Sequence, residues 1–116
     1  MERIQPIQVV FYKTESGNEP VREWLQTMQK SDKKSLGEDI KTVQFGWPIG
    51  MPVVRKLDTG LWEIRTRLEQ GIARVLFTVF EGDIVLLHGF IKKSQKAPKE
   101  DMGLALKRMR SVKEGR

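Results

Sequence analysis

Ile72-Ala-Arg-Val-Leu-Phe-Thr-Val-Phe-Glu-Gly-Asp-Ile-Val-Leu-Leu-His-Gly-Phe-Ile91 is the stretch that decides the fold. Two runs rich in β-branched and aromatic residues, Ile72–Phe80 and Asp83–Ile91, flank Glu81-Gly82. A two-residue connection containing glycine between such runs signals a tight hairpin. Just upstream, Trp62-Glu-Ile-Arg-Thr-Arg67 alternates strictly, the period of a half-buried strand. These three strands form an antiparallel meander.

Working outward, Ile7-Gln-Val-Val-Phe-Tyr12 is one more strand, ended by the polar stretch Glu15-Ser-Gly-Asn-Glu19. Asn18 is placed to cap a helix whose first turn holds Pro20 and Glu23, and Val21, Trp24, Leu25 and Met28 form its apolar stripe. Ser31 starts a second helix with Leu36, Ile40 and Val43 on one face. Gly46 to Pro52, with two glycines and two prolines, punctuates the chain. A last helix runs from about Pro98, with Glu100 and Asp101 in its first turn and Lys113 in its last, as the helix dipole favours. Met102, Ala105, Met109 and Val112 give its buried stripe. The expected order is β-α-α-β-β-β-α: an α+β fold of two layers, an antiparallel sheet with helices on one face.

The 116 residues make room for one domain, residues 1–116, and 39% hydrophobic content allows a real core. With no cysteine, disulfides, thiolate chemistry and Cys-built metal sites are excluded, and the single histidine His88 removes most His-based metal sites. No cofactor or metal is expected. Met1-Glu-Arg-Ile-Gln-Pro6 has no signal-peptide character, and no apolar run approaches the ~20 residues of a membrane span. The expected setting is cytoplasmic. A net charge of +6 points to a polyanionic partner, and residues 91–116 supply it, with nine Lys/Arg against three acids.

Centring the last hairpin on Glu81-Gly82 pairs Phe80 with Asp83, and closing the preceding one over Leu68–Gly71 pairs Arg67 with Ile72. One face then collects Trp62, Ile64, Ala73, Val75, Phe77, Ile84, Leu86, His88 and Phe90. This is the core face, and His88 on it reads as a hydrogen-bonded core histidine. The other face collects Glu63, Arg65, Arg67, Arg74 and Gly89, with Lys93 continuing the parity. Arg65 lies opposite Arg74, a like-charge pair that is destabilising unless offset. Either Glu63 or a bound anion offsets it. Gly89 beside Arg74 would let a substrate approach closely. Lys92, Lys93 and Lys96 extend the positive field. These residue types allow metal-free RNA cleavage: the ribose 2′-hydroxyl is the nucleophile, arginines neutralise charge on the phosphate, and a lysine crowded by cations can exchange protons.

The segments Lys56-Leu57, Gly60-Leu-Trp-Glu-Ile-Arg65, Arg74-Val-Leu-Phe77, Leu87-His-Gly-Phe-Ile-Lys-Lys-Ser-Gln-Lys-Ala-Pro98 and Ala105 to Met109 resemble the phage-derived branch of the HigB-type toxins, within the RelE/ParE toxin–antitoxin superfamily. The block from His88 to Pro98 is the most specific. The resemblance spans about residues 7–113 and implies a RelE-like fold and ribosome-dependent cleavage of mRNA. It also implies a cognate HigA-like helix-turn-helix antitoxin. On this reading Arg65, Arg74 and Lys93 are catalytic, and Arg67, Lys92 and Lys96 bind substrate. Several relatives carry a tyrosine or histidine near the C-terminus; here the only tyrosine is Tyr12, so the resemblance leaves the acid–base pair unassigned. Two other readings share the composition: a ParE-like, non-nucleolytic toxin of DNA gyrase, and a plain nucleic-acid-binding module.

Overall fold

The computed structural model describes residues 7–92 and 99–115. Strands β1 (Gln8–Phe11), β2 (Val54–Asp58), β3 (Leu61–Leu68), β4 (Gly71–Phe80) and β5 (Asp83–Lys92) form one sheet in the order β1-β5-β4-β3-β2. Helices α1 (Pro20–Gln26) and α2 (Lys30–Gly46) follow β1, and α3 (Lys99–Glu114) closes the chain. The α+β class and the sequence of predicted elements hold, with one strand more than expected. That strand, β2, is an edge strand with Arg55 and Lys56 exposed, so its sequence shows no buried alternation. Charged side chains of this kind keep an open edge from pairing with other chains. One pairing also departs from the antiparallel expectation: β1 runs parallel to β5.

The central hairpin forms as expected. Glu81 and Gly82 both have positive φ, 51° and 83°, which suits the turn that matches the right-handed twist of its strands. Between β3 and β4 the expected register holds throughout, from Trp62 opposite Phe77 to Leu68 opposite Gly71. Between β4 and β5 it holds from Phe80–Asp83 to Phe77–Leu86, then shifts: Leu76 faces His88, and Leu87 is the extra residue of a β-bulge. With a side-chain period of two, one extra residue exchanges the faces of everything beyond it.

Two apolar clusters result. Helices α1 and α2 cover one face, where Val21, Leu36 and Val43 pack on Ile64, Val75, Phe77, Ile84 and Leu86. Trp47, just past α2, meets Trp62 and Phe77 edge-on at 5.0 and 5.3 Å. Leu61, Leu76, Val85 and Leu87 have the opposite strand parity, and they are buried with Ala105 and Val112 of α3. The sheet therefore has apolar cover on both faces, α3 lying on the arginine-bearing side. Neither N-terminal helix has a side-chain cap: Glu19 and Gln29 occupy the cap positions expected for Asn18 and near Ser31. Asn18 instead donates its backbone N–H to Thr14 Oγ1 in the preceding turn.

Candidate active site

Three cross-strand rows on the α3 side hold the residues of interest. Glu63–Leu76–His88 comes first, then Arg65–Arg74–Phe90, then Arg67–Ile72–Lys92. Alternation along β3 and β4 sets the first two columns, and the bulge at Leu87 sets the third. The fold thus brings Arg65, Arg67, Arg74 and Lys92 to one face. Lys93 and Lys96 lie outside the described residues.

Arg65 and Arg74 stand directly opposite each other, and the carboxylate of Glu63 lies between them. Arg74 Nη1 donates to Glu63 Oε2 at 2.9 Å and to Oε1 at 3.2 Å; Arg65 Nε stands 3.8 Å from Oε2. The pair is deeply placed, with Glu63 2% and Arg74 7% exposed. One carboxylate shared by two guanidiniums offsets their repulsion but leaves one unit of positive charge. The Nε–H groups of both arginines are buried without a hydrogen-bond partner among the described residues. An unpaired buried donor costs about 1–3 kcal/mol; Arg65, whose side chain keeps 24% of its surface open, is the guanidinium of the pair that faces solvent. Arg67 is exposed and Lys92 half-buried at the outer row, where they extend the same field.

Gly89 and His88 have exchanged roles relative to the sequence expectation, because the bulge precedes both. Phe90, not Gly89, is opposite Arg74. Gly89 faces α1 on the other side of the sheet, where a Cβ would stand 2.4 Å from the ring of Trp24. It serves close packing and is not a bare backbone beside the substrate. Gly89→Ala is accordingly expected to cost about 1–3 kcal/mol in a urea melt, the usual penalty of overpacking, with activity per folded molecule retained. Stability unchanged by the substitution would contradict this placement.

His88 is not on the face under α1 and α2 but on the arginine side. Its Nε2 is 2.6 Å from Asp101 Oδ1 in the first turn of α3, and its ring stacks on Phe90 at 5.6 Å. The sequence marks Asp101 only as a helix-dipole acid, and no spacing in it signals the contact with His88. The bulge residue is itself tethered, since Arg108 Nη1 donates to the Leu87 carbonyl at 2.8 Å. Arg108 lies over the ring of Tyr12, and burial lowers its pKa from the usual value, an effect that Tyr12 opposes.

Among the described residues no group of three His, Asp or Glu is placed to hold a metal ion, and no helix is long and apolar enough to cross a membrane. A cavity of about 620 Å³ opens elsewhere, between β1, the Glu81-Gly82 hairpin and the end of α3. Glu15, Glu19, Glu81 and Asp83 line it beside Lys13, and none of the candidate residues does. The family profile described as "Phage derived protein Gp49-like (DUF891)" matches residues 23–110, which contain every candidate site residue. A search of curated proteins found no match.

Proposed function

Because the chain belongs to the Gp49-like family of phage-derived proteins, we propose that it is the toxin of a type II toxin–antitoxin system, of HigB type, and that it cuts mRNA on the ribosome. The observation that carries the nuclease reading is the Arg65–Arg74 pair around one carboxylate, two guanidiniums against a single negative charge, with Arg65 partly open beside the exposed Arg67. RNA cleavage needs this kind of site. The ribose 2′-hydroxyl attacks the adjacent phosphorus, negative charge grows on the phosphate oxygens, and the 5′-oxygen leaves. Preorganised guanidiniums stabilise that charge, and the reaction requires no metal. Arg67 and Lys92 would hold the flanking backbone; the same role falls to Lys96 and a catalytic one to Lys93.

Induced expression with pulse labelling of protein and DNA synthesis tests this reading. Protein synthesis should stop first, with new mRNA ends appearing. If DNA synthesis stops first and mRNA stays intact, the protein is a gyrase toxin. If neither stops, it is a nucleic-acid-binding module.

The partner antitoxin should offer an acidic segment to the basic face. Its association rate should fall by about tenfold or more between low and high salt, as electrostatic steering is screened. Stopped-flow association at two ionic strengths measures this; a rate independent of salt would contradict it.

A further inference from the structure

We propose that His88, oriented by Asp101, is the group that takes the proton from the attacking 2′-hydroxyl; this assignment rests on the RNA-cleaving reading. The face needs such a group. Arginine side chains offer no acceptor for a proton, Lys92 stands in the outer row beyond Arg74, and Lys93 lies outside the described residues. Glu63 is 2% exposed and both its oxygens accept from Arg74, so it has no free approach to substrate. His88 is the only histidine in the chain.

The bulge at Leu87 gives it its place. Without the extra residue, His88 would face α1 and α2; with it, His88 lies on the arginine side, two residues along β5 from Phe90, the residue opposite Arg74. Positions related in this diagonal way have Cα atoms about 7–8 Å apart, within reach of a phosphate and its neighbouring ribose held between two long side chains. Bulges recur next to active sites because they re-aim a side chain in this manner. The ring is held from two sides, by Asp101 at 2.6 Å and by stacking on Phe90, yet its side chain keeps 16% of its surface open. A carboxylate on one ring nitrogen orients the imidazole and stabilises the imidazolium formed when the other takes a proton.

His88 takes the 2′-OH proton as O2′ bonds to phosphorus; the P–O5′ bond breaks, giving a 2′,3′-cyclic phosphate. The departing O5′ takes a proton from water, and His88 later returns its own to solvent. Asp101 of α3 contacts the ring; the other charged groups on this side are Arg108 of α3, bonded to the neighbouring Leu87 carbonyl, Glu63 in the same cross-strand row, Arg74 one row on and Lys92 four residues along β5.

The test measures single-turnover cleavage of mRNA on programmed ribosomes, with His88→Gln and Asp101→Asn beside the wild type. His88→Gln should cut about 100- to 10,000-fold more slowly, the usual share of general base catalysis, with its melting midpoint preserved. Asp101→Asn should lose rate in the same direction. A folded His88→Gln protein that cuts at the wild-type rate overturns the assignment. If His88→Gln fails to fold, Asp101→Asn decides: reduced cutting supports the assignment. Full activity overturns it and leaves the pair as a strut between β5 and α3. A wild-type protein that cuts no mRNA overturns the nuclease reading itself, a distinguishable result.

Discussion

Arg74→Ala is expected to slow mRNA cleavage by about 100- to 1000-fold, the cost of losing one preorganised donor to developing charge. The same change should also destabilise the fold by about 3–5 kcal/mol, because it abandons a carboxylate that is 2% exposed and accepts from Arg74 through both oxygens. The two effects are separable. Replacing both partners, as in Glu63→Met with Arg74→Met, removes the stranded charge, and swapping a buried ion pair for apolar residues is often neutral. The double variant should therefore regain most of the stability in a denaturant melt and remain inactive. If it regains activity along with stability, Arg74 only braces the sheet and the phosphate is bound elsewhere.

Phe77→Ala should cost about 3–5 kcal/mol, the usual range for deleting a buried aromatic ring. Phe77 is fully buried beneath α1 and α2, with Trp47 edge-on at 5.3 Å and Trp62 stacked at 5.8 Å. These three rings join the end of α2 to β3 and β4, the strands that carry Glu63, Arg65 and Arg74 on their opposite side. A domain of this size has about 5–15 kcal/mol in total, so the variant should be close to its unfolding threshold at 37 °C. Denaturant titration followed by tryptophan fluorescence measures the loss. A cost below about 1 kcal/mol would mean that the rings are not packed as described.

Strand alternation made much of this arrangement legible. It placed Arg65 opposite Arg74, with Glu63 as one answer to their repulsion, and it assigned Trp62, Ile64, Val75, Phe77, Ile84 and Leu86 to one buried face. It stopped working at Leu87. The run Val85-Leu86-Leu87 is apolar on both faces, so nothing in it marks an inserted residue, and the assignment of His88, Gly89 and Phe90 reversed. Periodicity tells which face a side chain is on but not what lies over it. That is why Arg65 and Arg74 looked solvent-facing, whereas Arg74 is 7% exposed and α3 packs on the same side of the sheet. Edge strand β2 escaped for a related reason: with one open edge and two exposed cations, it carries no apolar alternation. The His88–Asp101 contact spans β5 and α3, and no spacing rule links a strand residue to a helix start across an intervening loop.

The most direct test of the central claim is to mix the purified protein with mRNA-programmed ribosomes and map the new RNA ends, with free mRNA and the Arg74-deficient double variant alongside. The wild type should give new 5′-hydroxyl ends within the ribosome-bound stretch, formed equally well in a chelator that spares ribosome integrity, and the two controls none. Intact mRNA on ribosomes, from a protein that still arrests growth when expressed, would contradict it.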